Sequence, residues 1–260
     1  MKNSRFLALF FFGVLLLGLS FTGGGGDASP TPSTDERTAW VVHWNRIAID
    51  ASGFDHTAQG GKEQTGPVRS IRAISTVSVA VADAVGAITN RFSPLLSVGI
   101  EVSPTASLRA AIAQAAHDTL VEMFKKQIPV FESALAEELA QVPDGKDKDD
   151  GIKIGKRTAK NILDLCKHDH SDESEPFVPV TYKQKPDAGK WRVDPFNPQQ
   201  KAVGSTWYKV QPLVMASPSQ YRLPPPPALD SPEYAEAYNE VKRLGGDGVN
   251  TPTERTEDQT

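Results

Sequence analysis

Two short constellations in this chain carry side chains that could do chemistry. The first is His117-Asp118, inside an alanine-rich stretch. A histidine beside an aspartate could be a general base with the carboxylate that orients it. Adjacent helical residues point about 100° apart, however, so the two cannot readily face each other. A structural hydrogen-bonding role is the preferred reading. The second constellation is His168-Asp169-His170-Ser171-Asp172-Glu173. Imidazoles and carboxylates suit Zn²⁺ or Ca²⁺. The run falls at a predicted helix end, where polar residues and dipole-favoured histidines occur without a metal.

Asp83 lies among Ala80, Val81, Ala82, Ala84 and Val85. An unpaired carboxylate in such surroundings is a raised-pKa acid; pairing with Arg72 or Arg109 is the preferred expectation. Cys166 is the only cysteine, so no internal disulfide exists, and it reads as inert core rather than a reactive thiol. The four prolines 224–227 must form polyproline II, read here as an internal strut rather than a ligand for an aromatic groove. No residue is assigned as catalytic, cofactor-binding or metal-ligating.

The elements that would hold these residues are mainly helical. Residues 36–50 place Trp40, Trp44 and Ile47 on one face, with Asp35 as N-cap. A glycine-rich polar loop is expected over 52–66. Pro67 suits a first helical position, and Ile71, Ile74, Ser78, Val81, Val85 and Ile88 recur at helical spacing to about Asn90. Val77, Val79 and Val81 also alternate as a strand would; the alanine content favours helix.

Ser103-Pro104 opens a third helix with the stripe Leu108, Ile112, Ala115, Thr119 and Met123, flanked by Ala111, Ala116 and Leu120. Small residues there permit close approach of a neighbour. Pro129 marks a fourth helix through Ala140, and Pro143-Asp144-Gly145 a turn. A fifth, over 149–167, would bury Ile152, Ala159, Ile162, Leu163 and Cys166. Ser231-Pro232 caps a last helix through Arg243, with Tyr234, Tyr238, Val241 and Leu244 at helical spacing and Gly245-Gly246 ending it.

Between Ser171 and Asp230 the chain carries eleven prolines and no sustained period. Irregular stretches beyond about 15 residues are uncommon in compact domains. Yet Phe177, Tyr182, Trp191, Phe196, Trp207, Tyr208 and Tyr221 stud this one, as they would not a disordered linker. An extended arm whose aromatics dock on a surface made elsewhere, in part on helices three and four, reconciles the two.

At the N-terminus, Lys2 and Arg5 precede an apolar run of about 16 residues, short of the roughly 20 a spanning helix needs. Gly18-Leu19-Ser20 offers the small residues a signal peptidase reads. Residues 1–22 are read as a signal peptide and 23–34, with four successive glycines, as a flexible linker. An uncleaved anchor stays open, and would be the sole membrane contact. The expected location is outside the cytoplasm, periplasmic or secreted. The net charge of −4 with no basic stripe argues against a nucleic-acid partner. The organisation is then a helical bundle over 35–168, the proline- and aromatic-rich arm over 169–230, and a helix plus the start of another over 231–260. That second start rests on Thr251-Pro252-Thr253-Glu254, which has the form of a capping box with proline at the first helical position, and on Asp258 in the next turn. No apolar stripe follows, so the expectation is a helix continued in further polypeptide, and an incomplete domain.

Several segments together have a family likeness. They are Trp44-Asn45-Arg46-Ile47-Ala48, Arg72-Ala73 with Ala82-Asp83-Ala84, Ala115-Ala116-His117-Asp118, Gly155-Lys156-Arg157, and Gly189-Lys190-Trp191-Arg192 with Pro195. The tail adds Gln220-Tyr221-Arg222, the run from Pro224 to Leu229, Ser231, Tyr234, Asn239-Glu240-Val241-Lys242 and Arg255-Thr256-Glu257-Asp258-Gln259-Thr260. In order and spacing the set resembles the bacterial vanadium-dependent haloperoxidases, a branch of the type 2 phosphatidic-acid-phosphatase superfamily.

That resemblance implies a mostly helical protein holding vanadate at the end of a bundle, where bound peroxide oxidises a halide. A lysine and arginines would hold the oxyanion, one histidine complete the metal sphere and a second do acid–base work. The family carries them in three blocks: Lys-x6-Arg-Pro, Pro-Ser-Gly-His and Ser-Arg-x3-Gly-His-x3-Asp. None is present in full. Lys185 and Arg192 have the first spacing, but Val193 replaces the proline and the pair lies upstream of the tail, so it is read as coincidence. Ser52-Gly53-Phe54-Asp55-His56 is similar to the second block with the wrong spacing and order.

The expectation is an N-terminal scaffold region, inactive alone and without a cofactor of its own. Its vanadate-binding half would come from a missing C-terminal portion or a second chain. An acid phosphatase of the same superfamily and a non-catalytic extracytoplasmic binding protein stand as alternatives, and a homo-oligomer stays open.

Overall fold

Six α-helices carry the described part of the chain: α1 (Thr34–Asp55), α2 (Pro67–Thr89), α3 (Leu108–Met123), α4 (Ile128–Ala140), α5 (Lys146–Cys166) and α6 (Pro232–Leu244). The computed structural model describes residues 32–172, 187–199 and 202–260. The fold is mainly α, as the spacing predicts. Two units divide the chain, Met1–Ser33 and Thr34–Thr260, and all six helices belong to the second. The expected signal peptide, nearly all of the linker, and Phe177, Tyr182 and Lys185 lie outside the described residues.

α3 is the centre of the bundle. Residues 110–117 are buried on every side of the helix, which packs on α1, α2, α4 and α5. A helix enclosed all round must be apolar or small all round, and this one is built on alanine. Its tightest neighbour is α5. A Cβ placed on Gly155 would stand 2.5 Å from the Ala111 carbonyl oxygen, and one on Gly151 2.4 Å from that of Ser107. The two backbones touch there, and only glycine leaves the room. The helix starts at Ser107, whose side chain accepts from the Ala110 amide at 3.2 Å, and not at Ser103-Pro104. Residues 103–106 close a separate turn, with the Ala106 amide on the Ser103 carbonyl.

α2 begins at Pro67 and ends on Asn90 in the left-handed region (φ 52°), a cap that asparagine tolerates. The strand alternative is not taken. The buried face matches the expected stripe only in its second half, where Val81 is buried and Val85 and Ile88 pack on the core. Ala73, Val77, Ala80 and Ala84 face the core, whereas Ile71 is 66% exposed and Ser78 is also outside. Alanines let α2 approach α3 and α5 closely. Among the described residues α2 is the one helix long and apolar enough to cross a membrane by length and composition, and its alanine side belongs to the core.

α1 is longer than predicted, and Asp35 lies in its first turn instead of capping it. Trp44, Ala48 and Ala51 are buried, with Trp40 and Ile47 partly so. The helix runs into the predicted loop because Asp55 stays useful inside it: its two carboxylate oxygens accept from the Glu63 and Gln64 amides, each at 2.8 Å. α5 starts three residues earlier than expected and buries Ile154, with Ile152 only partly covered.

Beyond α5 the described arm has one 3-10 turn, Trp207–Lys209, and no other regular element before α6. Residues 207–222 of it line one groove with α2. Val210 is buried, Leu213 packs on the core, and the Gln211 amide donates to the Asp169 carbonyl at 2.9 Å. Elsewhere in the arm Phe196 is 96% exposed, and Tyr208 and Tyr221 are also exposed. α6 has the predicted Ser231 cap but buries no residue, and it ends at Gly245 in right-handed geometry. No helix starts at Thr251. Glu254 instead pairs with Arg243 and its amide donates to the Arg243 carbonyl, folding the tail back on α6. The capping box forms five residues later, between Thr256 and Gln259, around a single 3-10 turn.

Candidate functional site

The structure distributes the sequence candidates among local locks. His117 and Asp118 do meet, with Nδ1 and Oδ1 2.8 Å apart. The two side chains bend toward each other across the 100° that separates them, and Gln114 steadies the same Asp118 oxygen at 2.7 Å. The other imidazole nitrogen, Nε2, is buried with no hydrogen-bond partner and lies 3.6 Å from the Glu132 carboxylate of α4. The arrangement braces α3 against α4.

Asp83 has no arginine partner among the described residues. It accepts from the Leu95 and Leu96 amides at 2.6 and 3.0 Å, closing the chain after α2. Burial raises its pKa, and those two amides partly offset the rise. Arg109 pairs with Glu138 at 2.7 Å instead. His56 is a loop lock as well: Nδ1 donates to the Ser52 carbonyl at 2.7 Å and Nε2 accepts from the Gly66 amide at 3.2 Å. Burial pushes the Cys166 thiol up, against a weaker pull from Arg72, so it is poorly suited to act as a thiolate.

Charge and cavity meet at Arg72, which lines a groove on each side. Its Nε donates to Asp169 at 2.7 Å, with Asp169 almost wholly buried, and its terminal nitrogen donates to the Cys166 carbonyl at 3.0 Å. Asp169 Oδ1 also accepts from the Ser171 amide at 2.9 Å. Asp169 is thus taken up by an ion pair, while His168 and His170 beside it are exposed and Glu173 lies outside the described residues. Among the described residues no three such side chains converge on one point. Neighbouring Arg69 donates to the Ser171 carbonyl at 2.7 Å; burial, then repulsion from Arg72, lowers it to about 10.

On the outer side of this pair lies a groove of about 680 Å³ between α2 and the docked arm. α2 supplies Val68, Ile71, Ser75 and Val79, and the arm supplies Trp207, Leu213 and Met215. Arg72, Asp169 and Arg222 are its charged residues. The size and apolar lining are those of a small-molecule site. Sequence reasoning missed it. The exposed Ile71 was the available signal, hidden because the same spacing reads equally well as a core stripe.

Vanadate would require several cationic donors free to converge on one oxyanion, together with a histidine nitrogen. Arg69 and Arg72 spend donors on the carbonyls of Cys166 and Ser171 and on Asp169, whose negative charge repels an anion. His56 is engaged at both nitrogens and His117 is flanked by two carboxylates. Arg192 is exposed in the arm, and its spaced companion Lys185 is outside the described residues. The described residues do not fit that group. No family model, curated protein or solved structure matches this chain.

Proposed function

We propose that this chain is an exported helical scaffold of a haloperoxidase-like protein, in which the vanadate-holding residues belong to other polypeptide packed against it. The observation that carries the proposal is α6. It is capped at Ser231 and amphipathic, with Tyr234, Tyr238 and Val241 on one side, yet none of its residues is buried. A helix with an apolar stripe buries that stripe against something. The residues that carry the family resemblance support the same division. Trp44, Ala48, Ala73, Asp83, Ala84, Ala115 and Ala116 are interior positions, so what they would share is packing. Tyr221, Tyr238 and Val241 of the tail are exposed, as a mating face would be.

The chain alone, given vanadate, peroxide and bromide, is expected to show no halide oxidation. Co-expressed with polypeptide bearing the three family blocks, it is expected to form a complex that turns over bromide, and a Tyr238→Glu/Val241→Glu variant is expected to lose that complex. Turnover by the chain alone, or assembly indifferent to the variant, would contradict the proposal.

A further inference from the structure

We propose that the groove between α2 and residues 207–222 is a binding site for a long-chain carboxylate: an apolar chain along α2 with its anionic head at Arg222. Three observations carry this. The floor is a stripe of α2 (Val68, Ile71, Ser75, Val79) beside the alanine face, with Val68, Ser75 and Val79 half-buried and Ile71 exposed. Ile71 stays 66% exposed although the arm lies beside it, so apolar surface faces the open groove. Covering it with an alkyl chain is favourable at about 25 cal/mol per Å².

The charges then select the ligand. Arg72 and Asp169 neutralise each other at 2.7 Å, so that pair presents little net field. Arg222 differs: its guanidinium makes no hydrogen bond or ion pair with the described residues. The groove therefore has an apolar body and one uncompensated cation. That combination suits a monoanionic amphiphile, because a guanidinium binds a carboxylate through two parallel N–H donors. A cationic amphiphile would meet repulsion at the same point. A volume of about 680 Å³ lies within the range that ligand sites of this kind occupy. The inference does not depend on the haloperoxidase-like reading, which assigns no ligand to this groove.

The test is fluorescence titration of the purified chain with cis-parinaric acid, a fluorescent long-chain carboxylate, and with its methyl ester. The acid is expected to bind saturably. Arg222→Gln is expected to weaken the acid about tenfold, the loss of one charge-assisted contact, and to leave the ester unchanged. Ile71→Glu sits on an exposed position, so the helical circular dichroism should persist while acid binding is lost. Absence of saturable binding would overturn the inference. So would equal affinity for acid and ester with Arg222→Gln unchanged, or full binding by a folded Ile71→Glu variant.

Discussion

α5 and α6 are built to the same plan and meet different fates. Both set an apolar stripe against a charged face. In α5 the stripe Ile154, Ala159, Ile162 and Cys166 is buried, and two glycines bring it onto the backbone of α3. In α6 nothing is buried. An isolated helix of about this length is marginal in water. α6 is held by its Ser231 cap and by the returning tail, where Thr253 donates to the Leu244 carbonyl and Arg255 to that of Gly246. Pattern specifies a face; only a surface of matching shape buries it. The first region supplies that surface from within, and the second leaves it to another molecule.

Substitutions in the two regions would break or sharpen the contrast. The largest effect is expected at Gly155→Val, where the new side chain meets backbone atoms of Ala111 and Ala115 that cannot give way. Loss of about 3 kcal/mol or more, or of the fold, should appear in urea denaturation. Ala237→Val, on exposed α6, should change stability by less than about 0.5 kcal/mol. Next is Arg72→Ala, which strands the buried Asp169 carboxylate and should cost about 3–5 kcal/mol by the same measurement. Ile162→Ala follows, with an expected loss of about 2–5 kcal/mol from the cavity. Its counterpart Val241→Ala, 70% exposed, should cost less than about 0.5 kcal/mol.

The smallest effect is in pH dependence, where the two regions carry opposite signs. Burial raises Asp83, so its contribution is full below the ordinary carboxylate value near 3.9 and is lost as pH rises through the raised one. Asp247, in the tail, is held well below the usual range by the Thr251 and Val249 amides, then by Asn250. Its contribution is present above the ordinary value and lost as pH falls toward the depressed one. Asp83→Asn should remove a decline in thermal stability above about pH 4. Asp247→Asn should remove an acid-induced loosening of residues 247–251, read from amide NMR shifts.

Much of the bundle was legible because its signals are local. Pro67, Asn90, Pro129 and Ser231 mark helix ends within a residue or so, and caps act over one turn. What failed was long-range. Ile71 and Ala73 sit on a helix that reads as amphipathic in more than one rotation, and only the close approach of α3 and α5 decides that the alanines go in. Asp83 was assigned an arginine because sequence shows no loop amides. Thr251 and Thr256 both head a box-like run, and the winner was set by Glu254 reaching back to Arg243. The groove needed the arm's resting place on α2, which no period encodes.

Hydrogen–deuterium exchange on the intact chain reads the central contrast directly. Amides of residues 110–120 in α3 should exchange about a thousandfold or more slowly than those of residues 237–244 in α6, because only the former open with the whole core. Protection of α6 equal to that of α3 would show that its face is already satisfied within this chain, and the scaffold account would fall.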